Sequence, residues 1–253
     1  MTGETLKKPP LVEAIFEIKW DLQDIAPGIV NDPHYNLLLG RMYDRLEKKY
    51  PFHQPLPTAS IPTEMITGVV QHRFRIDKEK WPLFQLGPGI LTVNDNKNYK
   101  WHDFKERVTE ILNFLFEVYP APLSINSLVL RYINSIEFNF DKENIFDFLS
   151  QQLQTEIALP ASLFETDVQK LPVGFDCRFA FKCTKPGAMI NLRLARGRSQ
   201  NNDALIWESF LTTTKTNMPS FPEGVETWLE DSHNVLEEWF IKLIEGELLR
   251  SFK

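Results

Sequence analysis

The residues able to do chemistry in this 253-residue chain are scattered rather than gathered. Its five histidines, His34, His53, His72, His102 and His233, keep none of the spacings by which a short motif holds a metal ion. His233 has acidic neighbours at Asp231 and Glu237, which could form an acid/base pair; incidental charge pairs on a solvated helix face account for the same residues. The two cysteines, Cys177 and Cys183, lie six positions apart in an expected strand. At roughly 3.3 Å per residue they stand about 20 Å apart, too far to bridge each other, and read as reduced residues. The chain contains no GxxxxGK[ST] phosphate loop, no GxSxG elbow, no HExxH and no CxxC. No catalytic residue, metal site or cofactor is implied.

Two features of the strands are left. Asn134 shares its phase with Leu128, Leu130, Tyr132, Ile136 and Phe138, so an amide lies on an apolar face and must find hydrogen-bond partners there, from local backbone or from a ligand. The opposite phases carry charge: Glu13, Glu17 and Lys19; Arg131 and Glu137; Arg178, Lys182, Asn191 and Arg193. Arg196-Gly197-Arg198 extends the basic end. If helices cover only one side of the sheet, the charged residues share its open face. There they either pair across strands, at no more than about 1 kcal/mol per pair, or offer planar arginine donors to an acidic partner. Arg131, Asn134, Arg178, Arg193 and Arg196 are the candidate binding residues.

Hydrophobic period and turn residues define the strands and helices that carry these side chains. Leu11 to Trp20 alternates as a strand, with Val12, Ala14, Phe16, Ile18 and Trp20 on one side. Pro27-Gly28 and Asn31-Asp32-Pro33 mark a loop, and a helix is expected over Tyr35 to Tyr50. Pro51, Pro55, Pro57 and Pro62 argue against regular structure in the next segment. Met65 to Ile76 reads as a strand. Trp81 to Asp95 reads as two strands around Gly87-Pro88-Gly89, where Gly89 is expected at positive φ. A long helix from Trp101 to Val118 follows. The second part repeats the order: a strand over Ser127 to Phe140, a helix over Ile145 to Leu153, strands over Phe175 to Cys183, Ala188 to Arg196 and Ala204 to Thr214, and a closing helix from Val225.

The expected fold is therefore α+β, antiparallel sheet backed by helices, in two similarly ordered halves spanning 1–122 and 123–253 that could form one continuous domain. With 43% hydrophobic and 12% aromatic residues, the chain can bury a sizeable core. No run reaches the roughly 18 apolar residues of a membrane span, and Glu13, Glu17 and Lys19 interrupt the segment behind Lys7-Lys8, so the expected location is the cytoplasm. The net charge of −6 opposes general affinity for nucleic acid. The large apolar residues Trp239, Phe240, Leu243 and Ile244 call for deep burial in the monomer or a homodimer contact.

Three stretches, Pro10-Leu11-Val12-Glu13-Ala14-Ile15-Phe16-Glu17-Ile18, Phe84-Gln85-Leu86-Gly87-Pro88-Gly89 with Trp101 and Phe104, and Leu130-Arg131-Tyr132-Ile133-Asn134, together resemble a sporadically distributed family of uncharacterised bacterial proteins of similar length. The resemblance carries no established site, and its patchy distribution implies an accessory role, in defence or toxin control. The functional expectation is a non-enzymatic binding protein that engages a protein partner or a small anionic ligand through an open charged sheet face. The alternative is an enzyme whose polar residues converge from several strands between the halves.

Overall fold

The computed structural model describes residues 6–96 and 98–253. In chain order the strands are β1 (Leu11–Trp20), β2 (Gln23–Ala26), β3 (Ile29–Asn31), β4 (Phe52–Pro55), β5 (His72–Arg75), β6 (Leu83–Gly87), β7 (Ile90–Asp95), β8 (Ile125–Glu137), β9 (Asp176–Cys183), β10 (Ala188–Ser199) and β11 (Asn202–Thr214). The helices are α1 (Tyr35–Leu46), α2 (Trp101–Val118), α3 (Ile145–Gln152), α4 (Val225–Leu243) and α5 (Glu247–Phe252). Nine strands form one antiparallel sheet in the order β4-β5-β6-β7-β1-β8-β11-β10-β9; β2 and β3 make a separate hairpin.

That order shows two halves with one topology. In each, a strand is followed by a helix, a three-strand meander whose last strand pairs with the first, and a long helix. The series are β1-α1-β5-β6-β7-α2 and β8-α3-β9-β10-β11-α4. The first strands of the halves, β1 and β8, lie side by side at the centre with Phe16 opposite Leu130. One sheet thus continues through both halves.

The alternation of β1 decides which face is covered. Ala14, Phe16, Ile18 and Trp20 are buried, as are the same-face residues Leu91 and Val93 of β7, Leu128 and Leu130 of β8, and Leu211 of β11. Helix stripes close over them: Tyr35, Leu38, Met42 and Leu46 from α1; Phe104, Val108, Ile111 and Leu115 from α2; Val225, Trp228, Leu229 and Leu236 from α4. Spacings of three and four residues put each set on one helix face. A second apolar cluster on the same side joins α3 and α5 to Leu192, Leu194, Leu205 and Trp207. Burying each such large side chain contributes about 1.5–3 kcal/mol, which makes these stripes the main support of the fold.

Several boundaries differ from expectation. Despite its prolines, Phe52–Pro55 forms a strand; it is tolerated because β4 is an edge strand, where a missing N–H costs nothing if it faces outward. The segment expected to be strand from Met65 shortens to His72–Arg75, preceded by single 3₁₀ turns at Pro57–Ser60 and Thr63–Met65. The closing helix breaks at Gly246, whose φ of 116° starts α5 in a new direction. Ile244 is fully buried, and Trp239, Phe240 and Leu243 are half-buried against the second cluster. Much of the apolar surplus of this helix is therefore satisfied within the monomer.

The β6–β7 turn has the expected geometry, with Gly89 at φ +73°. A Cβ there would meet Leu22 Cδ2 at 2.7 Å. Gly89→Val is expected to lower stability by more than about 1 kcal/mol through left-handed backbone strain, read as a lower melting temperature. A variant melting with the wild type would contradict this geometry.

Candidate functional site

Among the described residues no helix covers the opposite sheet face, and polar side chains cross it from strand to strand. They come from the alternate positions of strands whose other positions fill the core. On the N-terminal half, Arg73 Nε donates to Gln85 Oε1 at 3.0 Å, and Gln85 Nε2 donates to Thr92 Oγ1 at 3.2 Å. Thr92 Oγ1 donates to Asn94 Oδ1 at 2.7 Å, and Asn94 Nδ2 to Glu13 Oε1 at 2.8 Å. Gln85, Thr92 and Asn94 are buried, and so are their neighbours Leu83 and Ile90. Part of their cover is the segment before β5: a Cβ on Gly87 would lie 2.0 Å from the Val69 carbonyl oxygen. Burial raises the Glu13 carboxyl above its ordinary value, opposed by the Asn94 bond and by the charges of Arg73, Arg131 and Arg75.

The C-terminal half of this face is more open. Arg131 Nη1 meets Glu208 Oε1 at 3.0 Å, and its guanidinium carbon lies 4.6 Å from the centre of the Phe210 ring. Glu208 Oε2 faces Arg193 Nη1 at 3.7 Å. Arg193 then grips Asp176 with two bonds, Nε to Oδ1 at 3.0 Å and Nη2 to Oδ2 at 2.9 Å. Arg178 grips the same carboxylate from its own strand, with both bonds at 3.1 Å. These two forks hold the Asp176 carboxyl well below the usual range. The register produces this gathering: Arg193 stands opposite Arg178 on β9 and Glu208 on β11, while Phe210 stands opposite Arg131.

Of the expected site residues, Arg131, Arg178 and Arg193 share this face. Asn134 lies on the helix side, buried opposite Trp207, and its Nδ2 finds no acceptor among the described residues. Arg196 takes the helix-side phase of β10. It bonds to Asp203, Asp141 and the Val173 carbonyl, and lies 5.0 Å from the Phe140 ring centre. Its contacts pin the end of β10 to two loops. Glu13, Glu17 and Glu137, the carboxylates expected to answer the arginines, bond instead to Asn94, Lys19 and Asn202. Asp176 and Glu208 answer them. Asp176 is visible in the sequence by sharing the phase of Arg178; the meeting with Glu208 depends on register, which no local pattern states.

A second, half-buried polar cluster lies on the helix side. The His233 ring stacks on Trp101 at 4.0 Å and its Nδ1 lies 2.9 Å from Tyr132 Oη, which lies 2.7 Å from Tyr99 Oη. Glu230 accepts from Trp101 Nε1 at 3.2 Å and pairs with Lys105 at 2.5 Å. Asp231 turns away to Lys185. His233 is thus a packed residue, not part of a solvated face. Among the described residues, no three or more His, Cys, Asp or Glu side chains gather to hold a metal ion, and no helix is long and apolar enough to cross a membrane. No protein-family model, curated protein or solved structure matches the chain.

Proposed function

We propose that the protein is a binding module that recognises a polypeptide partner through the C-terminal half of its open sheet face. One observation carries the reading: Arg131 is half-buried, packed on Phe210 and bonded to Glu208, on a face that no helix among the described residues covers. Arginine and aromatic side chains held rigid among apolar neighbours are the composition of interface hot spots. The register supplies those neighbours, with Ile15 opposite Arg131 and Ile133 opposite Glu208. Arg131, Arg193 and Arg178 are already answered by Glu208 and Asp176. A phosphate group would have to compete with these carboxylates, so a polypeptide of mixed charge suits the surface better than a small anionic ligand. The family resemblance in sequence would place such a module in an accessory role in bacterial defence or toxin control.

The double variant Arg193→Ala, Phe210→Ala tests the proposal. Asp176 keeps Arg178 and Glu208 keeps Arg131, so the melting temperature is expected to stay near that of the wild type. Affinity for a partner captured from cell extract, with cross-links mapped to β8, β10 or β11, is expected to fall about tenfold or more. Unaltered affinity, or cross-links confined to the helical side, would remove this face from consideration.

A further inference from the structure

The two edges of the sheet are unlike. β4 has only four residues and ends in Pro55, behind Pro51, which is how an edge is protected against pairing. β9 has eight residues, no proline, and exposed Phe179 and Phe181. Among the described residues it pairs with β10 alone. The N–H of Arg196 donates to the Phe175 carbonyl at 2.8 Å. Alternation along β9 then aims the backbone groups of Cys177, Phe179 and Phe181 at β10, and those of Asp176, Arg178, Ala180 and Lys182 outward.

We infer that β9 pairs antiparallel with β9 of a second copy of this chain, joining two nine-stranded sheets into one across a twofold axis at Phe179. A twofold that makes two identical strands antiparallel neighbours is perpendicular to the sheet, so the open faces of both copies lie on the same side. Only registers that set open-face residues opposite open-face residues are then allowed. Centred on Phe179, the strands overlap from Asp176 to Lys182. Asp176 then stands opposite Lys182 of the second copy, twice by symmetry, and Arg178 stands opposite Ala180. Centring on Ala180 would instead set Arg178 against Lys182 twice, and centring on Arg178 would oppose two arginines. Centring on Phe181 keeps the like charges apart but leaves Asp176 without its lysine. Centring on Cys177 would set Asp176 opposite Arg178, but only Asp176 to Arg178 of each strand would then overlap. Charge complementarity and length of overlap together select both the occupant and the register. The outward backbone groups agree, because Arg178 and Ala180 of the two copies exchange hydrogen bonds while the phenylalanine pair packs between them. The pairing would carry the Arg193–Asp176 contact on to Lys182 of the second copy. It does not depend on what the open face binds.

The test is the mass of the full chain by sedimentation at tens of micromolar, where a dimer is expected. Ala180→Pro removes an outward donor that the β9–β10 ladder does not use; it is expected to give a monomer that melts with the wild type. Register is read with Phe179→Cys on a Cys177→Ser, Cys183→Ser background. Mild oxidation should link its two copies, because directly opposed non-hydrogen-bonded residues meet disulfide geometry. Ala180→Cys on the same background should link more slowly. A monomeric wild type, an undisturbed dimer in a folded Ala180→Pro variant, or faster linking through Ala180→Cys would overturn the inference. If Ala180→Pro does not fold, wild-type mass and the two cysteine variants still decide it.

Discussion

Replacing Asp32 by alanine is expected to destabilise the protein by about 3–5 kcal/mol, a loss large enough to be read directly in urea denaturation. The Asp32 carboxylate is buried and collects four donors from four parts of the chain. Oδ2 accepts from Trp20 Nε1 at 3.0 Å, at the end of β1, and from the Gly89 N–H at 3.3 Å, in the β6–β7 turn. Oδ1 accepts from the His34 N–H at 3.0 Å, before α1, and from Tyr119 Oη at 2.8 Å, just beyond α2. Alanine would leave the Trp20 indole and the Gly89 amide buried without an acceptor, and an unmade buried hydrogen bond costs more than a made one contributes. Asn should be intermediate, because its amide keeps one acceptor oxygen and turns the other into a donor facing donors. The comparison is Asp24→Ala on exposed β2, expected within about 0.5 kcal/mol of the wild type. If Asp32→Ala unfolds at the same urea concentration as that control, the four bonds do not join these elements as described.

Asp32 also shows what sequence patterning leaves out. Within Asn31-Asp32-Pro33 it reads as loop punctuation, because local chemistry explains an aspartate before a proline without any distant partner. Three of its four partners lie 12, 57 and 87 positions away. By contrast, the strand at Leu11–Trp20, the hairpin around Gly89 and the stripe of α2 follow from period and turn residues within a few positions, and so were legible. The repeated order of the halves was legible for the same reason, since it is a list of local elements. The open face stood between these cases. Phase placed Arg131, Arg178 and Arg193 on one side, but their meeting with Glu208 and Asp176 is set by which residue stands opposite which across three strands. Cover was equally hidden: nothing local in Gly87 states that the Val69 carbonyl crosses above it.

The seam between the halves should give the protein a marked loss of stability in mild acid. His233 of α4 is stacked on Trp101 of α2 and bonded to Tyr132 of β8, so one imidazole touches both halves. Burial lowers its pKa from 6.5 to about 4, against an opposing pull from the Glu230 carboxylate. Trp101 and Lys105 hold that carboxylate in place, and Tyr99 and Tyr132 are driven upward by burial, so neither phenol supplies charge in this range. The sign follows from the depressed value. Above pH 6.5 both folded and unfolded chains carry a neutral His233. As the pH falls toward 4, the unfolded chain takes a proton that the folded chain refuses, and stability drops; below the folded pKa the two states gain charge together and the loss levels off. A shift of this size corresponds to about 3 kcal/mol. His233→Phe retains a flat ring against Trp101 and removes the titration, at the cost of the Tyr132 bond. It should be less stable than the wild type at pH 7.5, with the difference shrinking or reversing by pH 4. Carboxyl groups such as Glu13 and Asp95, which burial raises above their ordinary values, act in both proteins and cancel in the difference. Parallel stability curves for the two proteins from pH 7.5 to 4 would mean that His233 takes its proton freely in the folded state, and that the Trp101 stack does not shield it from water.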